Sequence, residues 1–320
     1  MSPHSQTPLP YGAISLLVTF MILMIGISFI DYEGTLYLIE HRWSYFADIM
    51  RRSMFEGGGL GGSDPAVFYL LFALIGYGLS CSPQKFPRLQ PCRCFFGFVT
   101  FTSALAGLGM VHTIKWSIGR ARPHEVIKQG VEYTDWYEFG AHYVAEGIFF
   151  GSFPSGHTAI VAIFLTLAYT LIGDPLLSNK WRVFGWIWGG TSLGYAIAMI
   201  VARAMSKAHW ITDSLGALLL VWGLTHVIYF WVLRIPEQRL YYQKYQKYPD
   251  TLSCWEVRLG LHFLVIAIGA AFILIGLQAF YRQTTPWLAC LLPPGGLLVF
   301  AFSKKFKHLH HVIHKAYQSH

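Results

Sequence analysis

Long apolar runs separated by short polar segments dominate the chain. A helix needs about 20 residues to cross a hydrocarbon core about 30 Å thick, and eight runs approach or reach this length. The eight runs are Tyr11–Ile30, Ala66–Leu79, Phe95–Ile114, Thr158–Ile172, Val183–Val201, Ser214–Leu233, Leu259–Phe280 and Trp287–Phe302. The pattern predicts an all-α fold, a polytopic membrane helix bundle.

The polar segments divide these runs into three parts. Residues 1–233 are expected to form a six-helix core, 234–258 a cytoplasmic interfacial linker rich in Tyr and Lys, and 259–320 a C-terminal helix pair. The pair ends in a basic, His-rich tail, whose lysines favour a lipid-facing end over a metal site. No cleavage pattern follows the first run, so it is expected to be a retained helix.

Composition agrees with a membrane protein and argues against a soluble one. Hydrophobic residues make up 54% of the chain, charged residues 12%, and the mean hydropathy is +0.43. With a cytoplasmic N-terminus, most of the 24 Lys and Arg residues fall in inner loops, as the positive-inside rule requires. The net charge of +8 therefore predicts membrane lipids as partners and no nucleic acid.

Two polar clusters on the predicted outer side offer groups that bind an anion. Lys115 and Arg122 supply two cations around the end of the third run, where Gly119 and Pro123 predict that a helix stops. The second cluster, Pro-Ser-Gly-His-Thr at 154–158, comes directly before the fourth run. Its serine is a candidate N-cap, and the free amides of a helix N-terminus bind phosphate well.

A third cluster joins a cation to a histidine and a carboxylate. Arg203, His209 and Asp213 lie between the fifth and sixth runs. On a helix, residues four apart are neighbours, so Asp213 is expected to orient the His209 imidazole and leave its other nitrogen basic.

Together the clusters contain the parts of a phosphoryl-transfer site. Transfer needs stabilisation of charge on the phosphate oxygens, an in-line nucleophile and an acid for the leaving oxygen. The candidates for phosphate binding are Lys115, Arg122, Ser155, Gly156 and Arg203.

The two histidines take the remaining roles in this hypothesis. His209, oriented by Asp213, is the better nucleophile and would form a phosphohistidine intermediate. His157 would be the general acid. No acidic cluster accompanies the histidines, so we predict neither a metal nor another cofactor.

The three clusters resemble the signatures Lys-x6-Arg-Pro, Pro-Ser-Gly-His and Ser-Arg-x5-His-x3-Asp of the type 2 phosphatidic acid phosphatase (PAP2) superfamily. The likeness covers roughly Ala66 to Leu233. It implies the same roles, with His209 as nucleophile, Asp213 as its partner and His157 as acid. One departure is Ala202, where the family usually has serine.

The resemblance implies a lipid phosphate as substrate without choosing one. Lipid A, undecaprenyl pyrophosphate, phosphatidylglycerophosphate and phosphatidic acid are all candidates. The glycine-rich loop at 57–63 resembles that of some bacterial lipid A phosphatases and favours the bacterial inner membrane with a periplasmic site, although an isolated glycine run is more often a simple turn.

The sequence leaves two alternative functions and the role of one outer loop open. The same intermediate would serve a lipid phosphotransferase, and charged residues near helices are also found in transporters. Acidic and aromatic residues of the long outer loop are candidates for headgroup selection or for an interfacial belt. They are Glu125, Glu132, Tyr133, Asp135, Trp136, Tyr137, Glu138, Tyr143 and Glu146.

Overall fold

The computed structural model describes residues 9–142, 151–248, 255–282 and 285–318, and its regular elements there are all helical. The all-α prediction is thereby confirmed. The α-helices are α1 Leu9–Ser28, α2 Asp31–Glu40, α3 Ser44–Arg51, α4 Asp64–Ser80, α5 Arg93–Ser103, α6 Val111–Ile118, α7 Pro123–Gln129, α8 Gly156–Ala162, α9 Leu165–Gly173, α10 Asn179–Met205, α11 Ile211–Val227, α12 Ile235–Tyr245, α13 Trp255–Arg282 and α14 Leu292–Gln318.

The protein is an integral membrane protein. Within the described ranges, six helical segments are long and apolar enough to cross a bilayer. They are Pro87–Gln129, Gly156–Gly173, Asn179–Met205, Ile211–Val232, Trp255–Tyr281 and Pro286–Tyr317.

The first two predicted spans differ from simple straight crossings. The first bends by 65° between Ile14–Ser28 and Asp31–Glu40, and counts as a seventh span only if the bent pair is taken together. The second corresponds to α4, which has 17 residues and is about 25 Å long at 1.5 Å per residue. The bend after α1 directs the start of α2 towards the interior, where Asp31 is fully buried.

The third predicted span ends where the sequence suggested. α5 continues through a π-helical segment, Ala104–Met110, into α6, which stops at Gly119. Gly119 has φ +61°, and a Cβ there would lie 1.9 Å from the carbonyl oxygen of His142. Only glycine satisfies both conditions. The chain therefore turns sharply between Lys115 and Arg122.

The C-terminal helices pack on this third span. α13 and α14 approach closely at Gly269 and Gly295, where a Cβ on either residue would lie within 3 Å of the other's carbonyl oxygen. Small residues allow such close packing in lipid. On the other face of α13, the Ala267 carbonyl accepts a hydrogen bond from Thr113 Oγ1 at 3.3 Å. The pair is thus fixed to the helix that carries Lys115.

Candidate active site

All three polar clusters meet at one end of the bundle. Lys115 lies on the last turn of α6, Arg122 precedes α7, and Arg203 lies at the end of α10. The charges of these three cations interact with both His157 and His209. Residues up to 88 positions apart in the sequence therefore form one cationic site around two histidines.

His209 is only 2% exposed and lies in the turn before α11. Its Nδ1 is 3.4 Å from Ser152 Oγ and 3.7 Å from Asp213 Oδ2. Ser152 Oγ in turn donates a hydrogen bond to Asp213 Oδ2. α11 begins at Ile211, so His209 lies before the helix that carries Asp213. The serine, which the sequence analysis did not select, lies between the imidazole and the carboxylate.

The environment of His209 favours its neutral form. Burial holds the pKa of the imidazole well below its ordinary value, and the positive charges of Arg203, Lys115 and Arg122 lower the pKa further. A neutral imidazole has a free electron pair on one ring nitrogen. Since Nδ1 faces Ser152, that electron pair is available on Nε2 when Nδ1 carries the proton.

Asp213 belongs to a buried charge network that we define as Asp31, Arg120, Thr212 and Asp213. Arg120 Nη1 donates to Asp213 Oδ1, and Arg120 Nη2 donates to Asp31 Oδ2, both at 2.8 Å. Thr212 donates to Asp31 through its backbone nitrogen at 2.8 Å and its hydroxyl at 2.6 Å. All four side chains are fully buried. Each charge has a partner, as burial of charges requires.

The backbone also holds Asp213 in place. Trp210 N donates to Asp213 Oδ2 at 2.8 Å, so this carboxylate receives bonds from Trp210, Arg120 and Ser152. The Asp213 carbonyl accepts from Ser155 N at 3.0 Å, which ties the second cluster to the third. The orientation of the carboxylate is therefore fixed on several sides.

The sequence carried only weak signals for Asp31, Arg120 and Ser152. Asp31 directly follows the first apolar run, and an ionisable residue at the end of a span is a reason to look for a partner. Arg120 stood between the two expected phosphate ligands and shared their residue type. Its side chain points into the protein because the turn at Gly119 separates it from Lys115.

The second cluster occupies the start of α8. Ser155 is at the N-cap position, but its side chain makes no capping bond, and its hydroxyl instead accepts from Thr158 at 3.2 Å. His157 Nε2 is 3.7 Å from Glu56 Oε2. The carboxylate of Glu56 also interacts with Lys115 and Arg203, so it extends from the glycine-rich loop towards the site.

The glycine-rich loop is held by hydrogen bonds rather than being a simple flexible turn. Asp64 accepts from Ser53 Oγ at 2.9 Å, Met54 N at 2.9 Å and Gly61 N at 2.7 Å. A Cβ on Gly61 would lie 1.8 Å from the Arg52 carbonyl oxygen, so the close approach requires glycine. The Gly61 amide binds Asp64 and is not available to a substrate anion.

Two residues proposed for headgroup selection are bonded inside the protein. Glu125 Oε2 accepts from the Arg122 backbone nitrogen at 2.6 Å and lies 2.9 Å from His142 Nε2. Tyr133 lies beside Arg120, with its hydroxyl 3.0 Å from Nη2, and burial followed by the charge of Asp31 raises the pKa of this phenol. Tyr143 and Glu146 lie outside the described residues.

The departure from the family pattern falls in the core. Ala202 is fully buried and packs with the main apolar cluster. Its carbonyl accepts from Ser206 Oγ at 2.6 Å. Among the described residues, no three His, Cys, Asp or Glu side chains are grouped as metal ligands.

Comparison with known families indicates the class of this helical membrane protein. The family model described as PAP2 superfamily matches residues 95–237, which include all three clusters. Residues 95–237, somewhat under half of the chain, match this family, as the motifs predicted, and the match indicates an enzyme of the phosphatase type. No curated protein and no solved structure matches it.

Proposed function

We propose that the protein hydrolyses a phosphate monoester or pyrophosphate of a membrane lipid through a phosphohistidine on His209. The observation that carries the proposal is the buried His209, oriented by Ser152 and Asp213 inside a ring of three cations. A neutral, oriented imidazole beside an anion site is the arrangement that nucleophilic catalysis requires.

The first half-reaction transfers the phosphoryl group to the protein. Lys115, Arg122 and Arg203 neutralise the phosphate oxygens, assisted by the backbone at Ser155 and Gly156. His209 Nε2 attacks phosphorus in line as the bond to the lipid oxygen breaks. The proton on Nδ1 faces Ser152 Oγ, whose own proton lies on the Asp213 side. The positive charge that develops on the imidazole is thus stabilised by Asp213.

His157 serves both halves of the reaction. It protonates the leaving lipid oxygen, and then accepts a proton from the water that attacks the phosphohistidine. Glu56, 3.7 Å from Nε2, supports the protonated imidazole that the first step needs. The products are the dephosphorylated lipid and inorganic phosphate. The three cations take the place of a metal, so the reaction is proposed to be metal-independent.

The position of the site supports a lipid substrate on the non-cytoplasmic side. A site at one end of the bundle admits a headgroup while the tails remain in the bilayer. The positive-inside distribution assigns that end to the outer face, which is the periplasm if the protein resides in a bacterial inner membrane.

The experiment is phosphate release from a panel of lipid phosphates by purified protein in detergent with a chelator. Wild type is compared with His209→Asn and with His308→Asn, a matched change of an exposed histidine far from the site. Release should persist with chelator, stop in His209→Asn and be unchanged in His308→Asn. Brief incubation should also leave acid-labile phosphate on the wild-type protein.

Two outcomes would replace this proposal. Release that requires an added acceptor lipid would indicate a phosphotransferase that uses the same intermediate. No release from any lipid, or equal release by His209→Asn, would contradict hydrolysis through His209.

A further inference from the structure

A wide basic cavity adjoins the proposed catalytic site and shares Arg122 and Arg203 with it. Its volume is about 600 Å³, and its lining includes seven Lys or Arg residues and one acidic residue, Glu56. We define the basic basin as Arg51, Arg52, Lys128 and Lys207, with Arg122 and Arg203 at the edge shared with the catalytic site. Pockets for whole small ligands measure roughly 300–1,000 Å³, so the cavity is large enough for more than one phosphate group.

Four charges of the basic basin have no ion-pair partner among the residues that the structure describes. Among the described residues, no carboxylate forms an ion pair with Arg51, Arg52, Lys128 or Lys207. Arg51 is close enough to Arg203 for their like charges to interact unfavourably. An anion bound between them would relieve this repulsion.

The loop framework fixes the backbone that carries the two arginines. Arg51 ends α3, and the Arg52 carbonyl lies against Gly61 so closely that no other residue fits there. The neighbouring Ser53 is bonded to Asp64 at 2.9 Å. Guanidinium groups match phosphate geometry, and a fixed backbone lowers the loss of freedom when they bind.

The opposite wall of the basin is also held in place. The Lys207 carbonyl accepts from the backbone nitrogen of His124 at 3.2 Å, which joins the turn after α10 to the start of α7. Lys207 itself has φ +59°, a conformation that non-glycine residues seldom adopt. A backbone outlier of this kind persists only where surrounding contacts enforce it.

We propose that the basic basin is a second binding site for a phosphate group, next to the phosphate that is cleaved. Resting on the proposed function, this inference assigns the chemistry that the basin binds: a lipid phosphate beside the one that is cleaved. Lys115, Arg122 and Arg203 already suffice for one phosphate, so the four further cations are available to the second. The second phosphate comes either from the substrate itself or from a neighbouring anionic phospholipid.

The test compares two lipids with the same tails and either one or two headgroup phosphates, in neutral detergent with chelator. For wild type, the KM of the two-phosphate lipid should be about tenfold lower, the effect expected of one or two charge-assisted contacts. Arg51→Gln/Arg52→Gln should remove this preference and keep kcat/KM for the one-phosphate lipid within about twofold. Lys85→Gln/Arg258→Gln, which removes two exposed charges elsewhere, should retain the preference.

Added phosphatidylglycerol distinguishes the two sources of the phosphate. If it stimulates cleavage of the one-phosphate lipid, and does so only with Arg51 and Arg52 intact, the second phosphate comes from a neighbouring lipid. If Arg51→Gln/Arg52→Gln changes neither the substrate preference nor this stimulation, the second site is refuted.

A binding measurement separates this inference from the proposed function. In the His209→Asn background, inorganic pyrophosphate should raise the unfolding temperature more than orthophosphate, and Arg51→Gln/Arg52→Gln should cancel the difference. If both results are obtained but no lipid is hydrolysed, the second phosphate site is supported and the proposed reaction is contradicted. If hydrolysis occurs but pyrophosphate and orthophosphate protect equally, the reaction stands and the second site fails.

Discussion

The buried charge network and the basic basin both lie close to His209 in the fold and differ in burial and in pairing. In the buried charge network, every charge is fully enclosed and bonded to a partner within 3 Å. In the basic basin, Arg51, Arg52 and Lys128 are exposed and lack an ion pair with any described residue. The charges of the buried network are paired within the protein. The cations of the basic basin remain available to pair with a bound anion.

The contrast separates residues that orient the nucleophile from residues that meet the substrate. A network without unsatisfied partners fixes geometry but attracts nothing. Unpaired cations around a cavity attract an anion but contribute little to folding. Loss of a charge in the buried charge network should therefore reduce stability. Loss of a charge in the basic basin should reduce substrate binding.

The largest effect is expected from Arg120→Met, which leaves Asp31 and Asp213 buried without their cation. Breaking a buried ion pair by removing one partner costs about 3–5 kcal/mol. Arg52→Met, a matched change in the basic basin, should cost less than about 0.5 kcal/mol, as surface substitutions do. Denaturant unfolding in detergent measures both, and equal losses would contradict the distinction.

Ser152→Ala should have a smaller effect, confined to the reaction. The hydroxyl lies between His209 Nδ1 and Asp213, and loss of one such hydrogen bond lowers the rate by about tenfold. The unfolding temperature should change little, because Arg120 and Trp210 still hold Asp213. Ser206→Ala, which removes a hydroxyl at the edge of the basin, is the control for folding. An unchanged kcat for Ser152→Ala would exclude this serine from the orientation of His209.

The smallest effect concerns stability against pH. The unfolded imidazole of His209 binds a proton below pH 6.5, whereas the folded one, with its lowered pKa, does not. The unfolded state therefore gains protons first, and the folded protein loses up to about 1.4 kcal/mol per pH unit as the pH falls below 6.5. His209→Asn has no imidazole at this position and does not lose stability in this way. Its stability relative to wild type should therefore increase as the pH is lowered from 7 to 5. A constant difference would argue against a neutral, buried His209.

The sequence predicted the helical class, the membrane setting and the motif residues because each depends on local pattern. Apolar runs reveal helices in lipid, and Lys115, His157 and His209 belong to short signatures. The bend after α1 and the role of Asp31 were not predictable in this way. Asp31 acquires its partner only when Arg120, 89 residues later, turns inward at Gly119. Ser152 likewise had no motif around it, and only the fold brings it to His209.

The span of the buried charge network has a consequence for biosynthesis. Thr212 donates to Asp31 across 181 positions of sequence, and Arg120 bonds to both Asp31 and Asp213. During synthesis Asp31 emerges first, Arg120 follows 89 residues later, and Thr212 follows only after 181 residues. The nascent chain therefore holds this acid without its full set of partners until about two thirds of the chain has been made.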